Sequence, residues 1–195
     1  MGAMKMPQLI LASASPRRTE LLRTMGLDFT VLPSAATEVH HEHLTAMETS
    51  QLNAYRKARA VAKKYPDALV LGADTLVYLE TILLGKPANF EEAYRMLKQL
   101  QGRAHQVVTG VCLLHLRGHR QKIFAEATEV KFRRLDTRAI HRYLALINPL
   151  DKAGAYAIQE HGDQIVENIS GSFSNVVGLP VERLKVELAA WQNSA

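Results

Sequence analysis

The chain has 195 residues, 47% of them apolar and 22% charged, with 24 Lys and Arg against 19 Asp and Glu for a formal net charge of +5. Such fractions exclude a disordered, collagenous or coiled-coil chain, and the length predicts one domain, residues 1–195, with room for a cleft. A single cysteine, Cys112, excludes a disulfide framework and a Cys-based zinc site, and no apolar run approaches the roughly 18 residues that span a bilayer, so a cytoplasmic protein without membrane contact is expected.

Residues 1–6 read as a tag remnant or an unstructured start. Gln8 to Ala12 is an apolar run predicted as a strand, and after Ser13-Ala14-Ser15-Pro16 the residues Leu21, Leu22 and Met25 keep helical spacing as far as Gly26. That pattern is strand, tight turn and helix, with Ser15 as N-cap and Pro16 at the first helical position. Phe29 to Leu32 reads as a second strand, followed by a polar loop with Glu38 and His40-His41-Glu42-His43. A helix is predicted from about Ser50 to Lys64, with Leu52, Tyr55, Ala58 and Ala62 on one side and Lys57 off it. Ala68 to Leu79 suits a buried strand interrupted by Gly72-Ala73-Asp74-Thr75, and Gly85-Lys86-Pro87 reads as a turn.

Asn89 and Glu92 signal the start of a helix with the stripe Ala93, Met96, Leu97 and Leu100, closed by Gly102. Gln106 to Leu116 and Lys122 to Leu135 are strands of a hairpin joined through Arg117-Gly118-His119-Arg120. Asp136 caps a helix to about Leu146. Two shorter strands, Ala155 to Gln159 and Gln164 to Ile169, precede a last helix after Pro180. Early alternation of strands with helices and late hairpins predict a mixed sheet with helices packed on it, an α/β or α+β class.

The basic excess suits nucleic acid, a membrane surface or a small polyanion. In Ser13-Ala14-Ser15-Pro16-Arg17-Arg18, two arginines occupy the first turn of a helix and oppose its macrodipole. Backbone N–H groups, hydroxyls and guanidiniums there make a phosphate cradle, although a plain N-cap with both arginines in water explains the pattern as well. Asp74 follows a run that must be buried, where a carboxylate is costly unless a cation, metal or donor set pairs with it. Metal ligand or general base is one reading, and an Asp at a turn is the other. Lys57, Lys86 and Glu38 each read alone as solvated charges. The histidine cluster lacks H-E-x-x-H spacing and reads as a solvated loop, Asp151-Lys152 as an ion pair or a close-approach motif, and Cys112 as a core residue.

LILASASPRR at Leu9–Arg18, GADT at Gly72–Thr75, Gly85-Lys86-Pro87, HQVVTG at His105–Gly110, DKAGAYAIQ at Asp151–Gln159 and GSFSNVVGLP at Gly171–Pro180 strongly resemble the Maf family of nucleoside triphosphate pyrophosphatases. The resemblance implies an inosine-triphosphatase-like fold, an elongated mixed sheet flanked by helices, with two lobes and a central groove. It implies cleavage between the α and β phosphorus atoms to monophosphate and pyrophosphate. Asp74 takes the catalytic carboxylate role, and Glu38 is the acid that shares a divalent cation with it, Mg2+, Mn2+ or Co2+. Ser13, Arg17, Arg18, Lys57 and Lys86 fall on phosphate-handling positions, with Lys57 and Lys86 as catalytic cations.

At Arg17, Thr75 and Gln159 the dTTP/UTP type of the family resembles this chain, whereas the 7-methyl-GTP type resembles Trp, Gln and Glu. The implied function is removal of dTTP, UTP and modified pyrimidine triphosphates as housecleaning of the nucleotide pool. The alternatives are the 7-methyl-GTP type and a nucleotide-binding regulator of septum formation. Ala157 and Glu160 depart from glycines common in the family. A homodimer is a further expectation of the resemblance, and with 6% aromatics and no long Lys/Arg run no nucleic-acid partner is expected.

Overall fold

In a computed structural model, described here for residues 7–193, the sheet is built from β1 (Leu9–Leu11), β2 (Phe29–Val31), β3 (Leu69–Leu79), β4 (Ile82–Leu84), β5 (Ala104–His115), β6 (Arg120–Phe132) and β7 (Val166–Ser170). The strand order is β2-β1-β3-β5-β6-β7, with β4 beside β3. β1 pairs in parallel with β2 and β3, while β4 runs antiparallel to β3 and β7 to β6. The helices are α1 (Pro16–Arg23), α2 (Ala46–Ala62), α3 (Phe90–Leu100), α4 (Thr137–Leu144), α5 (Phe173–Val177) and α6 (Val181–Asn193). The mixed α/β class expected of the sequence is the one observed. The expectation for residues 1–6 lies outside the described residues, and no helix among the described residues is long and apolar enough to cross a membrane.

The chain divides into two compact units. The first comprises the chain up to Asp74, Thr109–Glu126 and the chain from Gly178; the second comprises Thr75–Val108 and Ala127–Val177. In the first unit, period-2 alternation sends side chains to opposite faces of the strands. Leu9, Leu11, Leu69, Leu71, Val111 and Leu113 join Leu22 of α1 and Leu184 and Leu188 of α6 in one core. Ile10, Val70, Cys112 and Leu114 join Ala54, Ala58, Val61 and Ala62 of α2 in another. Asp74 is in step with Val70, so its side chain falls on the α2 face.

Two glycines let α2 lie against the strands. A Cβ on Gly72 would stand 2.3 Å from the Ala54 carbonyl oxygen, and one on Gly110 would stand 2.4 Å from that of Ser50. Small residues are required at both places. The helix begins about four residues before the predicted start, because Thr45 and Glu48 form a capping box: Thr45 Oγ1 accepts from the Glu48 amide and the Glu48 carboxylate accepts from the Thr45 amide. Those Thr45 bonds hold the Glu48 carboxyl below the usual range.

The second unit has its own core, with Leu79, Leu84, Leu97, Leu100, Phe132 and Tyr143 among its members. Its α3 starts as predicted, Asn89 accepting from the Glu92 amide at 2.9 Å, and Asp136 caps α4 through the Ala139 amide. Several expectations need correction. β3 runs unbroken through Gly72-Ala73-Asp74-Thr75, because the carboxylate is paired in place and does not end the strand. Gly85-Lys86-Pro87 is irregular backbone after β4 rather than a turn. Ala155 to Gln159 is not a strand. Gly154 and Ala155 both take positive φ, 68° and 62°, and the Tyr143 hydroxyl accepts from the Ala157 amide at 3.0 Å and donates to its carbonyl at 3.1 Å. A phenol thus satisfies backbone groups that a neighbouring strand would have paired. Short 3-10 turns at Pro149–Asp151, Ala153–Ala155 and Gly162–Gln164 occupy this stretch.

Candidate active site

The first unit gathers a carboxylate pair around one ammonium. Asp74 is 3% exposed and is held from α2 by two side chains one helical turn apart. Lys57 Nζ donates to Asp74 Oδ1 at 2.6 Å, and Asn53 Nδ2 donates to Asp74 Oδ2 at 3.0 Å. The same Lys57 ammonium donates to Glu38 Oε1 at 2.6 Å. Spacing of i and i+4 puts Asn53 and Lys57 on one line of the helix, and the close approach at Gly72 brings that line within reach of the strand. Lys57 is therefore not the solvated charge that it looks like alone, and Glu38, although 42% exposed at its side chain, is ion-paired.

The β1–α1 turn lies in the same unit. Ser13 Oγ accepts from the Ser15 amide at 3.1 Å and from Arg18 Nη1 at 3.3 Å, while Arg18 Nε donates to the Gly178 carbonyl at 2.9 Å. Arg18 is buried and braces the turn against the segment before α6 instead of pointing into water. Burial lowers its pKa, the charges of Asp74 and Glu38 oppose that fall, and Arg17 adds to it. Arg17 is half-buried, and the Ser15 side chain makes no capping bond.

The remaining predicted residues belong to the second unit. Thr75 is half-buried in β3, and Lys86 is exposed after β4. Gln159 is exposed, and its Nε2 donates to Glu160 Oε1 at 3.3 Å. Buried Lys152 donates to the Asn148 carbonyl and to Asp151, both at 2.8 Å, and lies 3.5 Å from Glu160 Oε2. Lys152 is thus an ion-paired anchor for the segment that carries Gln159. His105 Nε2 and the Tyr156 hydroxyl are 2.8 Å apart, and burial pushes the His105 pKa down to about 4.

His40, His41 and His43 lie exposed in their loop, and among the described residues no three His, Cys, Asp or Glu side chains are grouped to hold a metal ion. Cys112 is buried, with its thiol pushed up to about 12 by burial. Sequence reasoning passed over Asn53. The only signal for it was its place four residues before Lys57, which carried meaning only once Lys57 was known to face Asp74.

Comparison with known proteins bears out the family resemblance. Residues 8–191 match the family model for Maf-like proteins. A Geobacillus protein named dTTP/UTP pyrophosphatase is 48% identical over 178 residues, covering 91% of this chain and 95% of its own. Proteins of the same name from Pelotomaculum thermopropionicum and Symbiobacterium thermophilum are 45% and 48% identical, each over 179 residues, covering 92% and 91% of this chain and 94% and 91% of their own.

Proposed function

Because the chain belongs to the Maf-like protein family, we propose that it hydrolyses nucleoside triphosphates between the α and β phosphorus atoms, with dTTP and UTP preferred, and so clears unwanted pyrimidine triphosphates from the nucleotide pool. The relatives' shared name supports the substrate class. One observation carries the chemistry: a buried aspartate on β3, oriented by two donors from α2, shares its lysine with a second acid.

Water attacks the α phosphorus, the bond from that phosphorus to the α-β bridging oxygen breaks, and pyrophosphate leaves. Asp74 orients the water and takes its proton at a carboxylate oxygen. Each of those oxygens has two acceptor directions, so the bonds from Lys57 and Asn53 leave room for a water. Phosphoryl transfer depends on positioning and charge neutralisation rather than on covalent participation by the protein. Lys57 supplies a cation beside both acids, and Arg17, Arg18 and Ser13 supply donors at a helix start that suits phosphate oxygens. Lys86 is assigned charge on the departing pyrophosphate.

A divalent cation, Mg2+, Mn2+ or Co2+, is part of the proposal. Glu38 and Asp74 already converge on one cation, the Lys57 ammonium, which fits an ion held by these two carboxylates together with substrate phosphate oxygens, the usual manner of Mg2+. Bound there, it would neutralise phosphate charge. The preference for uracil and thymine is assigned to Thr75 and to Gln159, whose amide donates and accepts as a pyrimidine edge requires.

Pyrophosphate release across a panel of canonical and modified triphosphates, with each metal and with EDTA, tests the reading. The highest kcat/KM should fall on dTTP and UTP. Asp74→Asn and Glu38→Gln should fold normally and lose most turnover. A kcat/KM for 7-methyl-GTP equal to or above that for dTTP overturns the base preference. Binding of dTTP without pyrophosphate release overturns the hydrolase and leaves the nucleotide-binding regulator.

A further inference from the structure

Asn53 is 1% exposed and bonds in two directions. Its Nδ2 donates to Asp74 Oδ2 at 3.0 Å and to the Val39 carbonyl at 3.1 Å, and its Oδ1 accepts from the Val39 amide at 2.9 Å. Val39 directly follows Glu38. A carboxamide matches both polar groups of a peptide unit, so Asn53 serves the Val39 backbone as a neighbouring strand would, in a segment without regular structure. With Lys57 the contacts form a closed ring: Asp74 to Asn53, Asn53 to Val39, Glu38 to Lys57, and Lys57 back to Asp74.

Lys57 alone does not give that ring a direction. An ammonium is a compact charge with three rotatable donors on a flexible stem, so its bond to one oxygen does not by itself fix the plane of the Asp74 carboxylate. Asn53 is short and planar, and it engages the second oxygen of Asp74 while holding the residue next to Glu38. We propose that Asn53 is a positioning residue for the pyrophosphatase reaction, setting the plane of the Asp74 carboxylate and the place of Glu38 so that the two acids act as a fixed pair. The proposal rests on the function given above.

Asn53→Ala and Asn53→Asp test it, the second keeping the shape and an acceptor for the Val39 amide but turning a carboxylate toward Asp74. Loss of a hydrogen bond to a charged group, with the misalignment that follows, should lower kcat for dTTP roughly 10- to 100-fold in Asn53→Ala while KM stays within about threefold. Asn53→Asp should fall at least as far. Amide hydrogen exchange at Val39 should quicken at least about tenfold in Asn53→Ala, while Leu71 within β3 keeps its protection. On a Glu38→Gln background, adding Asn53→Ala should cost much less than it does alone, because the two act through one arrangement.

Unchanged kcat, unchanged exchange at Val39, a raised KM with full kcat, or an undiminished effect on the Glu38→Gln background would each overturn the role. Asn53→Ser carries the same measurements should Asn53→Ala fail to fold. A wild-type protein that releases no pyrophosphate overturns the function and this role with it; an active wild type with an equally active Asn53→Ala overturns the role alone.

Discussion

Replacing Gly72 by alanine asks whether the close approach of α2 builds the acid site. The new Cβ would stand 2.3 Å from the Ala54 carbonyl oxygen and 2.8 Å from the Ala58 amide nitrogen, both backbone atoms that no side-chain rotation can move aside. Ordinary contact begins at 3.4 Å, so the helix must withdraw by about 1 Å, the difference between 3.4 and 2.3. Asn53 and Lys57 adjoin these two residues. A rigid shift of that size stretches their bonds to Asp74 from 3.0 and 2.6 Å to about 4 and 3.6 Å, beyond hydrogen-bonding distance. Overpacking of this kind costs about 1–3 kcal/mol, which for a chain of this length lowers Tm by roughly 2–12 °C. Misplacement by about 1 Å should cost roughly 100-fold in kcat. Calorimetry with a pyrophosphate-release assay reads both effects. Gly85→Ala is the stability control, since a Cβ there meets nothing within 4 Å, and its Tm should move by no more than about 2 °C. A Gly72→Ala protein with wild-type Tm and turnover, or with a lowered Tm and full turnover, refutes the argument.

Lys57→Met leaves the Asp74 carboxylate, 4% exposed at its side chain, without its cation, and should cost about 3–5 kcal/mol in urea denaturation. Adding Asp74→Asn should restore at least half of that loss, and a double variant as unstable as Lys57→Met would show that the stranded charge is not the cause. His105 contributes a pH dependence whose sign follows from its folded pKa, lowered to about 4 by burial. Between its unfolded value of about 6.5 and about 4 the unfolded chain binds a proton that the fold refuses, so stability falls on acidification through that window, by about 3 kcal/mol in total. His105→Phe should flatten that slope, and an unchanged slope contradicts it. Cys112, with its thiol pushed up to about 12, should resist Ellman's reagent at pH 8 until urea is added. Native labelling as fast as that of the unfolded chain would contradict its burial.

Much of this was legible because local rules and tertiary structure agree. Asn89 and Asp136 cap the helices that they announce, and the Ala93-Met96-Leu97-Leu100 stripe faces its core. The misses share a cause: a distant partner overrode a local signal. Asp74 looks like a strand breaker until Lys57 and Asn53 neutralise and orient it from 17 and 21 residues away. Ala155 to Gln159 is a short, mostly apolar run that reads as a strand, but a tyrosine 14 residues earlier takes both backbone groups of Ala157. The early start of α2 is a different failure, since Thr45 and Glu48 spell a capping box that a hydrophobic periodicity search alone overlooks. A family motif marked Asp74 and the resemblance gave roles to Glu38 and Lys57, whereas Asn53 had neither a motif nor a role and was found only by following hydrogen bonds.

The bond from Arg18 to the Gly178 carbonyl spans 160 positions of the chain, whereas the contacts among Glu38, Val39, Asn53, Lys57 and Asp74 span 14 to 21. During synthesis from the N-terminus, the acid ring can close while most of the polypeptide is still to be made, because short loops close early and at low entropic cost. Arg18 reaches its final place only after the segment before α6 has been translated. The order of assembly therefore separates the two halves of the chemistry in time. A nascent chain can bring its acids together before its arginine is braced, and full turnover requires both.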